Sequence, residues 1–130
     1  MAHMPSLIRD TRQRRAIRAI LEGAPQPITC PEIHAKALRT LPKTSIVTIY
    51  RVLEAFEKEG LVSKVTVPGA VPHFELARGH HHHFFCRNCH KVLDVPCDGH
   101  PGTPRIAPRF KVEEQQVVLV GLCPDCGKEE

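Results

Sequence analysis

Two short cysteine pairs, Cys86-Arg-Asn-Cys89 and Cys123-Pro-Asp-Cys126, stand 33 residues apart (residues 90–122) in a chain of 130. A Cys-x-x-Cys turn can set both sulfurs on one side of a tight loop. Two such turns supply the four thiolates that a tetrahedral zinc takes at about 2.3 Å. The intervening segment must fold back so that the two knuckles meet, which calls for a small sheet between them. The alternative, four buried cysteines without a ligand, leaves the matched spacings as coincidence. Six cysteines and nine histidines accompany 5% aromatic residues and no Trp, so metal is a natural supplement to a small apolar core. No window approaches the roughly 18 apolar residues of a membrane span, and the N-terminus carries no apolar run of a secretory kind. A cytoplasmic protein with no membrane partner is expected, in a compartment where reduced thiols hold metal rather than form disulfides. The opening Met-Ala-His-Met is treated as a cloning remnant without functional weight.

Immediately before the first knuckle runs His80-His81-His82-His83. In an extended strand alternate residues share a face, so His81 and His83 point one way, His80 and His82 the other. The four thiolates fill the first site, and the histidines therefore call for a second. Glu75 and Asp94 offer oxygen ligands for His81 and His83, and a mixed His and carboxylate set suits Fe(II), Mn(II) or Zn(II). His80 and His82 either hold a further metal on the second face or lie on the surface.

Charge separates the chain into two parts. Residues 1–79 carry 12 Lys+Arg against 7 Asp+Glu, net +5, and residues 80–130 carry 6 against 7, net −1. The basic part is the one suited to a polyanion. Ile17, Ile20 and Leu21 recur at helical spacing behind Arg12, Arg14, Arg15 and Arg18, and Gly23 with Pro25 and Pro27 ends that helix. Thr29 caps a second helix with Pro31 at its first position and Ile33, Ala37 and Leu38 facing inward, closed by Pro42. Ser45 opens a third, with Ile46, Ile49, Leu53 and Phe56 on one side and Gly60 at its end. The period then changes to two. Leu61–Val67, a Pro68-Gly69 turn and Val71–Leu76 form a hairpin with Phe74 and Leu76 on one face and His73 and Glu75 on the other. Three helices and a hairpin describe a winged helix-turn-helix, or else a three-helix interaction module whose arginines are merely solvated. Further on, Lys91–Val95 and Gln116–Val120 are expected strands, and residues 96–104, with three Pro and two Gly, a loop. The fold class is α+β. The residues divide into a three-helix and hairpin part over 1–76 and a small α/β part over 80–130 that carries the four-cysteine zinc site, joined by residues 77–79.

From about Thr11 to Cys126 these features resemble the ferric uptake regulator family of bacterial metal-dependent repressors. The match is carried by Thr11-Arg12-Gln13-Arg14, Thr48-Ile49-Tyr50-Arg51, Glu59-Gly60-Leu61-Val62, the histidine run ahead of Cys86-x-x-Cys89, and Gly121-Leu122-Cys123-x-x-Cys126. The resemblance implies a winged-helix DNA-binding domain over 1–76, a hinge at 77–79 and a metal-binding dimerisation domain over 80–130, making a homodimeric repressor of metal homeostasis genes, locked onto a pseudo-palindromic operator by a regulatory metal at the hinge, with no small-molecule substrate. It further implies that Tyr50 meets bases, that Arg51 meets phosphate, and that Arg15 contacts the backbone or minor groove. Cys86, Cys89, Cys123 and Cys126 match the family's structural zinc site, and Glu75, His81, His83 and Asp94 match its regulatory site. Three departures stand out. Pro27 occupies the place of a further regulatory His, leaving His73, Cys30, His34 or water to complete the set. Gln115 stands where many relatives complete a third site, and the Pro/Gly loop replaces a helix of the dimer interface. Asp94 is the residue typical of the peroxide-sensing branch, which makes a peroxide sensor the alternative reading.

A more distant alternative is a zinc hydrolase, because His73-Phe74-Glu75 and Cys123-x-x-Cys126 superficially match deaminase elements. Leu122 rather than Pro precedes Cys123, however, and the second cysteine pair would have no role. A zinc-stabilised protein adaptor would differ by lacking salt-dependent binding to an operator.

Overall fold

The computed structural model describes residues 11–79, 81–96, 109–113 and 115–128. It divides into two compact units, Met1–Arg78 and Gly79–Glu130. No described helix is long and apolar enough to cross a membrane.

In the first unit, α1 (Thr11–Gly23), β1 (Ile28–Thr29), α2 (Cys30–Ala37), α3 (Ile46–Lys58), β2 (Val62–Val65) and β3 (His73–Leu76) follow in order. The apolar stripes of the three helices meet as their spacing predicts. Ile17, Leu21, Ile33, Ala37, Ile49, Val52, Leu53 and Phe56 are buried together with Phe74 from the sheet. Val52 joins the expected stripe of α3, widening it to the face a helix needs when it packs on two neighbours. The start of α2 and both ends of α3 have a chemical cause. Thr29 Oγ1 accepts from the Glu32 N–H while Glu32 accepts from the Thr29 N–H, a reciprocal capping box at the start of α2. Ser45 Oγ accepts from the Thr48 N–H at the start of α3. At the other end of α3, Gly60 takes φ +77 and the N–H groups of Gly60 and Leu61 turn back to the carbonyls of Glu57 and Phe56. That is a Schellman ending, and its positive φ is the reason glycine stands there.

Two local expectations need correction. Cys30 takes the first helical position of α2, so Pro31 sits second, where its missing N–H is equally harmless. Leu38 is exposed rather than inward-facing, because α2 stops at Ala37 and Leu38 caps the end beyond the buried stripe.

The hairpin turns at Gly69, φ +78, and pairs Val62 with Leu76 and Lys64 with Phe74. β1 pairs with β3 on its other side, giving a three-stranded antiparallel sheet of order β1-β3-β2. A central strand is covered more fully than an edge, and His73, Phe74 and Glu75 are all buried. Both faces of β3 are thus covered at residues 73–75.

The second unit is a sheet of β4 (His82–Cys86), β5 (Val92–Val95) and β6 (Val118–Gly121), in the order β5-β4-β6, with β4 antiparallel to β5 and parallel to β6. The last two strands lie one or two residues from their expected bounds. Gly121 permits a close approach, since a Cβ there would come within 3.3 Å of the Phe84 ring. Among the described residues of this unit, buried side chains are few: Phe85, Cys86, Val92 and Cys123, with His83 among them. A metal staple would supplement this described core. The expected loop at 96–104 falls, except for Pro96, outside the described residues.

Candidate metal centres

β4 ends in Cys86, and the chain turns at once so that the His90 N–H returns to the Cys86 carbonyl at 2.8 Å, with His90 itself at φ +66. After β6, the N–H groups of Cys126 and Gly127 return to the Cys123 carbonyl at 3.0 and 2.7 Å. Parallel pairing of β4 and β6 brings the two knuckles together. All four sulfurs lie within 4.8 Å of one another, and those of Cys89 and Cys123 are 3.8 Å apart. A tetrahedron with metal–sulfur bonds of about 2.3 Å has an edge of about 3.8 Å.

The electrostatics fit the same occupant. Hydrogen bonds from the Cys89 N–H above all, then from the N–H groups of Cys123 and Asn88, hold Cys86 down at about 5 against the opposing effect of burial. Cys89 moves the other way, to about 11. The Lys91 N–H favours its thiolate, but desolvation and the sulfurs of Cys86, Cys123 and Cys126 outweigh that. Four thiolates cannot share this space without a cation, and a soft-ligand dication of tetrahedral habit resolves the conflict. The Asn88 side-chain amide also donates to Cys126 Sγ at 3.3 Å, tying one knuckle to the other. A zinc held by all four thiolates would be closed to substrate, leaving Cys123 and Cys126 no part in a hydrolase site.

A second cluster is built by strand register. His83 pairs with Asp94 across β4 and β5, so both side chains stand on one face, and His81 lies two residues before His83 on that face. Asp94 Oδ1 is 3.2 Å from His81 Nε2 and 3.3 Å from His83 Nε2. The two imidazoles meet edge to face with centroids 4.7 Å apart. His81 Nδ1 lies 2.8 Å from the Gly79 carbonyl, a partner that selects the tautomer whose Nε2 carries the lone pair a metal takes. The ligand atoms of His81, His83 and Asp94 lie within 4.8 Å of one another, a set of nitrogen and oxygen donors suited to Fe(II), Mn(II) or Zn(II). In the first unit Glu75 is buried on β3, with Arg78 Nη2 at 3.8 Å from Oε1.

The remaining sequence candidates divide. No described metal-type cluster includes His82, which is paired with Val95 on β4, and His80 lies outside the described residues. His73, His34 and Cys30 likewise belong to no such cluster among the described residues. His73 Nδ1 is 3.0 Å from the Val71 carbonyl, and burial pushes its pKa down. His34 Nε2 is 3.0 Å from the Thr44 carbonyl. Cys30 is buried and held up at about 11 by desolvation, the Tyr50 hydroxyl working in the opposite sense. Tyr50, Arg51 and Arg15 are exposed, the first two on the outer face of α3. Sequence reasoning missed Asn88 and the Gly79 carbonyl; the polar residue inside the knuckle and the glycine before the histidines were the available signals.

The model of the ferric uptake regulator family matches residues 6–119. Among characterised relatives, the transcriptional regulator FurA of Mycobacterium tuberculosis is 34% identical over 92% of this chain and 83% of its own. The peroxide operon regulator of Bacillus subtilis is 30% identical over 95% of this chain and 87% of its own. The fold is shared with the solved ferric uptake regulator Fur of Helicobacter pylori, a protein with three functional metal-binding sites, at a TM-score of 0.73 and 21% identity over 92% of this chain and 85% of that one. The chain thus belongs to the ferric uptake regulator family, whose members are metal-responsive transcriptional regulators and not enzymes.

Proposed function

We propose that this chain is a cytoplasmic, homodimeric repressor of metal homeostasis genes that binds a pseudo-palindromic operator when a divalent metal occupies the site formed by His81, His83 and Asp94 together with Glu75. The observation that carries the reading is the convergence of both imidazoles on one oxygen of Asp94, at 3.2 and 3.3 Å, beside a four-cysteine cluster that meets the demands of structural zinc. Residues 1–76 are the DNA-binding part, 77–79 the hinge and 80–130 the dimerising part. Glu75 and His81 are six residues apart, within about 20 Å even for an extended chain. A cation shared by ligands on both sides of residues 77–79 supplies a crosslink across the hinge. The chain supplies the rest: α3 presents Tyr50 and Arg51 to the major groove, and Arg15 on α1 reaches the backbone. Among the described residues β6 is an edge strand with Leu119 and Val120 49% and 61% exposed, a surface that calls for a second copy.

To drive a population from 1:99 to 99:1 the metal must favour the DNA-competent form by about 5.5 kcal/mol. The test is operator affinity of the His81→Ala/His83→Ala protein with zinc retained at the cysteines. Metal-dependent affinity should vanish, and affinity that still rises with metal would sink the proposal. A second reading, peroxide sensing, is favoured by Asp94 and by the likeness to the peroxide operon regulator. It requires that peroxide treatment of the Fe(II)-loaded protein oxidise a histidine and release DNA.

A further inference from the structure

The first turn of α3 has a definite division of labour. Ile46 packs against the core, Ile49 is fully buried, and Thr48 Oγ1 lies 3.1 Å from the capping Ser45 Oγ. Val47 alone in that turn is exposed, at 54%. It shares the outer face with Tyr50, Arg51 and Glu54, all exposed and spaced three, four and seven residues on. In a helix-turn-helix the N-terminal residues of this helix contact base edges. An isopropyl group offers no hydrogen bond, and the single apolar feature on the floor of the major groove is the thymine C5-methyl group.

Resting on the DNA-binding reading above, we propose that Val47 is a specificity-determining residue that selects thymine by packing against its methyl group. The position is rigid: Ser45 fixes the start of α3, and branching at Cβ leaves Val47 one strongly preferred rotamer in a helix. The contact is therefore made without ordering a flexible side chain. A methyl contact also tolerates no inversion of the base pair, because adenine presents a donor and an acceptor where thymine presents the methyl and a carbonyl.

The experiment uses the full chain loaded with zinc and saturated with the activating metal. Bound duplexes are selected from a random library, and each thymine of the selected half-site is then replaced in turn by deoxyuridine, which removes only the methyl. For the native protein, one position should lose about fourfold in affinity, the value of one buried methyl. In the Val47→Ala protein that same position should become insensitive while the other positions keep their native response. Val47 is exposed and Ala is the better helix former, so the variant should retain its helical circular dichroism. If native and Val47→Ala proteins respond identically at every position, the assignment of Val47 is overturned and DNA binding stands. If no duplex is selected at all, the DNA-binding reading falls and this proposal with it.

Discussion

Arg14 and Arg15 are adjacent, alike in sequence and opposite in predicted effect. Arg14 places its guanidinium 4.8 Å from the centroid of the Phe56 ring and donates to both carboxylate oxygens of Glu59, at 2.7 and 3.1 Å. Its hydrogen bond is the main reason the Glu59 carboxyl sits below the usual carboxylate range. The side chain is 21% exposed and that of Glu59 41%, so solvent screens the ion pair. A screened bidentate pair contributes about 0.5–1 kcal/mol and the partly desolvated cation–ring contact about 1 kcal/mol. Arg14→Ala should therefore destabilise the first unit by about 1.5–2 kcal/mol, lowering its melting temperature by roughly 6–16 °C. All three described helices lie in that unit, so circular dichroism at 222 nm follows it directly. Operator affinity, measured well below the transition, should change little. Arg15→Ala should do the reverse, leaving the melting temperature within about 2 °C while lowering the salt slope of DNA binding by about one per protomer. An Arg14→Ala protein that melts normally but loses DNA would refute the assignment of Arg14 to an internal strap.

Removing zinc from the four cysteines, by chelation or by Cys86→Ser, should unfold the second unit, because its described core is otherwise Phe85, Val92 and little else. Hydrogen exchange in β4, β5 and β6 should rise while α1–α3 stay protected. Gly60→Ala should cost about 1 kcal/mol, since no Cβ clash arises but φ +77 strains any L side chain, and denaturant titration would show it. Cys30 gives a pH dependence. Its folded pKa is raised to about 11, so its contribution is intact below about pH 9 and is lost as pH climbs through 11. The loss can reach about 3 kcal/mol, and Cys30→Ala should flatten this alkaline limb of the stability curve, though a cavity lowers it throughout.

Much of this molecule is written in local spacing. Helix stripes, Ser45, Thr29 and Gly60 mark their own boundaries because each acts on backbone groups within a turn of itself, and the paired Cys-x-x-Cys spacing announces a metal before any fold is known. The two ligand clusters were legible for the same reason: alternation put His81 and His83 on one face, and one strand later Asp94 was the available carboxylate. What the sequence could not disclose depends on neighbours distant along the chain. β1 is only two residues long, and its pairing with β3 is what turns the second strand of the hairpin from an edge into the central strand of the sheet. Arg14 looked like one more member of a basic edge until Glu59, 45 residues away, claimed it.

The two ligand clusters also stand in an unequal relation that follows from β4. Cys86 closes this strand and His83 lies three residues before it. The knuckle from Cys86 to Cys89 is the turn that leads into β5, where Asp94 lies opposite His83. Zinc held by the cysteines would fix that turn and, through β6, the other side of β4 as well. A one-residue slip of β5 would send Asp94 to the opposite face. The thiolate site therefore sets the register on which the histidine and aspartate ligands depend, whereas nothing in the geometry makes the reverse true. Loss of zinc should abolish binding of the second metal, while His83→Ala should leave the zinc content at one per chain. Metal analysis of the two variants by mass spectrometry distinguishes this ordering from independent sites: a Cys86→Ser protein that still takes up a metal at His81, His83 and Asp94 with native affinity would break the link.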